Sequence, residues 1–272
     1  DNSRTSCTAT PSVRAKVLAG RLKAAPGKAS RPSIKTRLIS VSSHFFSVLS
    51  TDQRASSVFI WSRKLSTTAV DSGLASHLPV ITAGKNTGRG HVLVAEPELD
   101  RRGVEIFDSG RGGDVTYHAP GQIVGYPIVH LVEGERDIRK YVCNLEEVLI
   151  RTAADFGIQA ARVDGMRGIW VGNDKLAAVG VRIARWTTMH GFALNVTTDL
   201  SGFDLIVPCG LEGRGVTSLE KLLGQAPSLV DVENRLAHHC SNVLGRQLEE
   251  VTASTLPEDI AIDSTKQVGG VN

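Results

Sequence analysis

Cysteine is scarce, with four residues in 272, and no two of them form a CxxC pair. Cys7, Cys143, Cys209 and Cys240 thus carry no zinc-ribbon or dithiol signature, and a chain this long needs no disulfide staples, so a reducing compartment is its natural setting. No run of eighteen apolar residues occurs, and Val58-Phe-Ile-Trp61 is too short to act as a membrane-crossing helix. Internal repeats are absent. So are a GK[ST] phosphate loop and a strand-borne GxGxxG, which removes nucleotide binding as the first expectation. Acidic residues are nearly missing from the first 76 positions, where twelve Lys and Arg face three Asp, a charge of +9; the other 196 residues carry 19 basic and 25 acidic groups, or −6. The formal net charge of +3 therefore averages two unlike parts. Lacking interleaved aromatics, the basic part reads as solvated tail and not as a single-strand nucleic-acid surface.

What is present is a glycine-bent loop and one presented thiol. In Arg111-Gly-Gly-Asp-Val-Thr-Tyr-His-Ala-Pro-Gly-Gln122, Gly112, Gly113 and Gly121 let backbone approach a ligand, while Arg111, Thr116, Tyr117, His118 and Gln122 supply donors in quick succession. A polar turn between strands is the plainer reading of the same run. Of the cysteines, Cys143 falls in a predicted helix, Asp137 to Gly157, with apolar residues at helical spacing, and Cys240 in another, Asp231 to Gly245. There His238 and His239 are adjacent and too far apart around the helix to share a metal. Cys209 differs, because Pro208 and Gly210 set it on a bend beyond the apolar stretch Phe203 to Val207. Reactivity would need a neighbour that favours thiolate, for which Lys175, His118 and His190 are the candidates. Lys175 follows the turn pair Asn173-Asp174 and opens a predicted strand, Leu176 to Ile183. The small residues Ala177, Ala178 and Gly180 on that strand either leave room for a slim apolar ligand or reflect close packing of sheet and helix.

Six pieces stand in order within about residues 78–250: Pro79-Val-Ile-Thr-Ala-Gly84, Arg111 to His118, Gly121-Gln-Ile-Val-Gly-Tyr-Pro127, Lys175-Leu-Ala-Ala-Val-Gly-Val-Arg-Ile183, His190-Gly-Phe-Ala-Leu-Asn-Val196 and Pro208-Cys-Gly210. In these the chain resembles the lipoyl(octanoyl) transferase family of lipoate biosynthesis, grouped by fold with lipoate and biotin protein ligases. The resemblance implies an α/β (α+β) fold, a mixed sheet flanked by helices. It implies that Cys209 bears the acyl group as a thioester and that Lys175 takes the thiol proton. Substrate contacts are implied for Arg111, Gly112, Gly113, Asp114, Val115, Thr116, Tyr117 and His118, for Ala178, Val179 and Gly180, and for Gly191, Phe192 and Ala193. The implied donor is octanoyl acyl carrier protein. The implied acceptors are lysines on lipoyl domains of 2-oxoacid dehydrogenase complexes and on the glycine cleavage H protein, with no cofactor, metal, nucleic acid or membrane required.

His118-Ala119-Pro120-Gly121 stands where many family members have His-Gly-Pro-Gly, so residue 119 is expected at negative φ. The family's opening helical and strand pattern is not visible in residues 1–76, which are expected to be a disordered Ser/Arg-rich segment, followed by a catalytic domain at 77–251 and a loose tail at 252–272. A misassigned start or shifted frame is expected to explain that opening, in a chain beginning at Asp1; a transit peptide is the alternative. The setting follows, cytoplasmic in the first case and mitochondrial in the second. Three other activities compete: an ATP-dependent lipoate or biotin protein ligase, a noncatalytic relative that binds lipoyl domains, and a cysteine hydrolase using His118 or His190 as base.

Overall fold

In the computed structural model, residues 46–49, 57–62, 79–85, 90–207, 213–246 and 249–251 are described. Among the described residues the strands are β1 Phe46–Leu49, β2 Ser57–Ser62, β3 Val80–Ala83, β4 Glu105–Asp108, β5 Thr116–His118, β6 Gln122–Val129, β7 Ala161–Val163, β8 Met166–Val171, β9 Asp174–Ala184, β10 Thr187–Asn195, β11 Gly215–Val216 and β12 Glu249–Val251. The helices are α1 Glu96–Arg101, α2 Ile138–Asp155, α3 Leu219–Leu223 and α4 Leu229–Leu244, with a 3₁₀ helix at Leu200–Leu205. The larger sheet runs β12-β1-β2-β6-β10-β9-β8-β7, and β11 joins β9 in parallel. A smaller sheet has order β4-β3-β5, parallel between β3 and β4 and antiparallel between β3 and β5. The expected mixed-sheet architecture with flanking helices is what forms.

Helix α2 forms because Asp137 accepts from Lys140 N at 3.0 Å as N-cap and because Tyr141, Val142, Leu145, Val148, Leu149 and Thr152 recur every three or four residues on one buried face. Phe156 and Gly157, the latter at φ +77°, end it. Helix α4 begins two residues before the predicted Asp231, since Ser228 accepts from Asp231 N and so caps at Ser228. Helix α2 lies on one face of the larger sheet and α4 packs against α2, in a core that buries Ile123, Val129, Ile169, Leu176, Phe192 and Leu194. A second core joins the smaller sheet to the 3₁₀ helix through Ile81, Val115, Tyr117, Phe203 and Leu205. The loop that leaves β4 then lies against β9, where Gly112 N donates to Val181 O at 2.9 Å.

One expectation is corrected. Strands β1 and β2 fall inside residues 1–76, read as disordered, yet β2 pairs with β6 from Ser57↔Val129 to Ser62↔Val124, and β1 bridges β2 to β12. Val58, Phe59, Ile60 and Trp61 are all strand-favouring residues, but the run is apolar throughout and shows no alternation, and pairing with β6 makes it a strand. The remainder of residues 1–76 and the tail at 252–272 lie outside the described residues.

Candidate active site

Lys175 sits near the start of β9, where its neighbours are Trp170 on β8 and Val216 on β11. Only 6% of it is exposed, so the amine is held inside the protein. Its Nζ lies 4.9 Å from the centroid of the Trp170 ring, against which the Arg214 guanidinium also packs at 5.2 Å. Beside it opens a narrow cleft, partly open to solvent, lined by Val115, Thr116, Gln122, Lys175, Ala178, Ala193, Asn195, Phe203 and Val216. An apolar slot with a few converging polar groups is the usual form of a small-ligand site.

Strand alternation sorts the expected contacts. Ala178 and Ala193 are register partners and present their methyl groups to the cleft, whereas Val179 and Phe192, also partners, turn into the α2 core. The side chains of Val179 and Phe192 are therefore core residues. Gly180 and Gly191 are small because of packing: a Cβ on Gly180 would stand 3.0 Å from Gly112 O, and one on Gly191 would stand 2.3 Å from Gly125 O. Both readings of the small-residue strand thus apply, at different positions. Tyr117 packs edge-on against Phe203 with centroids 5.4 Å apart and belongs to the second core. Asp114 accepts from His91 Nδ1 and from Val115 N, the latter at 2.7 Å, which fixes the loop instead of leaving the carboxylate to a ligand.

A buried polar chain, unforeseen as a unit, runs from the Arg111 loop towards Lys175. Arg111 Nη2 donates to Thr82 O at 2.7 Å and to Thr82 Oγ1 at 3.1 Å. Thr82 Oγ1 lies 3.3 Å from His118 Nε2, and His118 Nδ1 lies 2.7 Å from Gln122 Oε1. Gln122 Nε2 donates to Tyr117 O at 3.2 Å and to Asn195 Oδ1 at 2.8 Å, and Asn195 Nδ2 donates to Thr217 O at 3.0 Å. Thr217 N in turn donates to Lys175 O at 3.0 Å. Burial, opposed by the Gln122 hydrogen bond and aided by the nearby Arg111 charge, lowers the His118 pKa to about 4. Both ring nitrogens of His118 are engaged, one by Gln122 and the other by Thr82. His190, at φ +61°, also has a lowered pKa, through burial first and then Arg111 and Arg182. Cys209, with Pro208 and Gly210, lies outside the described residues. Among the described residues no group of three or more His, Cys, Asp or Glu is placed to hold a metal.

The mixed sheet flanked by helices, with Lys175 buried beside its cleft, has the fold of lipoate-protein ligases. The crystal structure of lipoate-protein ligase A bound with ATP superposes with a TM-score of 0.57 at 17% identity, covering 68% of this chain and 75% of that one. A bipartite lipoate protein ligase with its E2 lipoyl domain from Thermoplasma acidophilum gives 0.53 at 18%, covering 68% and 73%. Residues 73–241 match the model of the lipoyl protein ligase A/B catalytic domain, and the chain belongs to that family. Octanoyltransferases are among its relatives: that of Caldicellulosiruptor bescii is 49% identical over 177 residues, 64% of this chain and 78% of the relative. That of Chloroflexus aurantiacus is 52% identical over 166 residues, 60% and 74% respectively.

Proposed function

We propose that the protein is an acyltransferase that moves an octanoyl group from a carrier-protein thioester to a lysine of a lipoyl domain through a thioester on Cys209. The observation that carries this reading is the burial of Lys175 in a cleft walled by Ala178 and Ala193, joined to relatives named as octanoyltransferases. Phe203, before residues 208–212, and Val216, after them, both line the cleft with Lys175, which supports a site shared by Lys175 and Cys209. The Cys209 thiolate attacks the thioester carbonyl carbon, the carrier's C–S bond breaks, and the proton held by Lys175 leaves with the carrier thiol. The acceptor ε-amine then attacks octanoyl-Cys209; a C–N bond forms, the C–S bond breaks, and one amine proton returns to the cysteine sulfur by way of Lys175. Each step passes an already activated acyl group onward, so ATP is not consumed, which separates this reading from a ligase.

The donor in this reading is octanoyl acyl carrier protein. The acceptors are the lipoyl domains of 2-oxoacid dehydrogenase complexes and the H protein of glycine cleavage, in the cytoplasm of a bacterium-like setting. Mixing the protein with octanoyl carrier protein and weighing it intact tests the scheme: one octanoyl group is gained, is released by hydroxylamine and passes to an added lipoyl domain. Cys209→Ala is expected to gain none. Octanoyl transfer by that variant at the wild-type rate would overturn the thioester mechanism.

A further inference from the structure

Both ends of the buried polar chain have fixed polarity, and that settles every proton between them. Tyr117 O and Thr217 O are backbone carbonyls and can only accept; the Arg111 guanidinium can only donate. Because Gln122 gives both amide hydrogens, to Tyr117 O and Asn195 Oδ1, its Oε1 must face His118, and so Nδ1 carries the imidazole proton. With His118 neutral, Nε2 accepts from the Thr82 hydroxyl, whose own oxygen accepts from Arg111. At the far end Asn195 Oδ1 is taken by Gln122, and Nδ2 spends one hydrogen on Thr217 O. Its second N–H has no partner among the described residues, although Asn195 is only 3% exposed and lines the cleft with Lys175.

We propose that this second Asn195 N–H is a donor to the oxygen of the reacting carbonyl, and that Thr82, His118 and Gln122 are positioning residues that hold the carboxamide with nitrogen, not oxygen, towards the cleft. The assignment rests on the transfer reading above. When thiolate attacks, the carbonyl π pair moves onto oxygen, and a neutral donor already aimed there stabilises the charge without surrendering a proton. Thr116 also lines the cleft, but a hydroxyl hydrogen is not fixed in direction as an amide hydrogen is, and both Gln122 hydrogens are spent. Asn195 is thus the oriented amide at this position. Reversing its amide would set Asn195 Nδ2 against Gln122 Nε2 and oxygen against the Thr217 carbonyl, two repulsions that the chain forbids.

Difference infrared spectroscopy of the octanoyl-enzyme, made with donor labelled by carbon-13 at the carbonyl, reads the contact directly. The wild-type band is expected below that of a thioester in water, and Asn195→Ala should raise it and slow acylation by roughly 10²–10³-fold, with KM changed by less than about threefold. Thr82→Val, which leaves the cleft lining intact, should move the band part of the way. An unshifted band and near wild-type acylation in Asn195→Ala would overturn the assignment while leaving the transfer reading standing; a wild-type protein that gains no octanoyl group overturns that reading and this one with it. Nitrogen-15 NMR of the wild type gives a check independent of any variant's folding. Protonated Nδ1 and bare Nε2 are expected down to about pH 5, and the opposite tautomer overturns the proposal.

Discussion

His118 shows how one residue's surroundings become a stability dependence. Its pKa falls from 6.5 to about 4 in the folded protein, chiefly by burial, so between those values the unfolded chain binds more protons than the folded one. Stability therefore declines as pH drops through that window, by roughly 3 kcal/mol in full, and is unaffected by this residue above it. His118→Gln should flatten that part of the profile, and urea denaturation of both proteins at several pH values checks it as a difference of slopes. A variant that keeps the wild-type slope places the acid sensitivity elsewhere. Lys175 gives the matching kinetic case. Lys175→Ala removes the amine beside Trp170 and is expected to slow acylation by about 10²–10⁴-fold, the range a positioned proton-transfer group contributes, without unfolding the sheet. A stopped time course of octanoyl-enzyme formation measures the first effect and a thermal melt the second.

At the scale of elements, the site depends on how closely the Arg111 loop crosses β3. A Cβ on Gly84 would lie 2.1 Å from Gly113 O, a backbone atom with no rotamer to yield. Gly84→Ala should therefore push the loop away, cost roughly 1–3 kcal/mol, and pull Arg111 off Thr82, so kcat/KM falls along with stability. Gly103→Ala is the control: φ is +64°, nothing stands within 4 Å, and a loss of about 1–2 kcal/mol should come with unchanged kcat/KM. Urea unfolding and steady-state kinetics on the pair separate crossing from strain. The same crossings explain what the sequence disclosed. Local periodicity made α2, α4 and β9 readable to within a few residues, and the turn before Lys175 marked the start of a strand. The polar chain was not readable as a unit, since Thr82 meets His118 across 36 positions and Gln122 meets Asn195 across 73, and only sheet register brings them together. Alternation alone could have paired Ala193 with Asn195 on one face and set Phe192 on the other.

For the whole molecule, the question is where the folding unit starts. The family match begins at residue 73, yet six residues of β2 pair along β6, the strand whose other edge is held by β10 and whose first residue is Gln122. Without β2, the β6 backbone from Val124 to Val129 would become an open edge inside a largely buried strand, exposing amides that another chain could pair. A chain trimmed to 77–272 should melt roughly 5–10 °C lower than the full chain and associate at lower concentration, whereas 46–272 keeps β1 and β2 and should behave as the full chain does. Thermal melts and sedimentation over a concentration series compare the three. Acylation should follow the same order, because loss of β2 loosens β6 and, through Gln122, the orientation of Asn195. If 77–272 matches the full chain in melting, association and rate, then β1 and β2 add nothing to the unit, and the sheet that holds the site is complete from β3 onward.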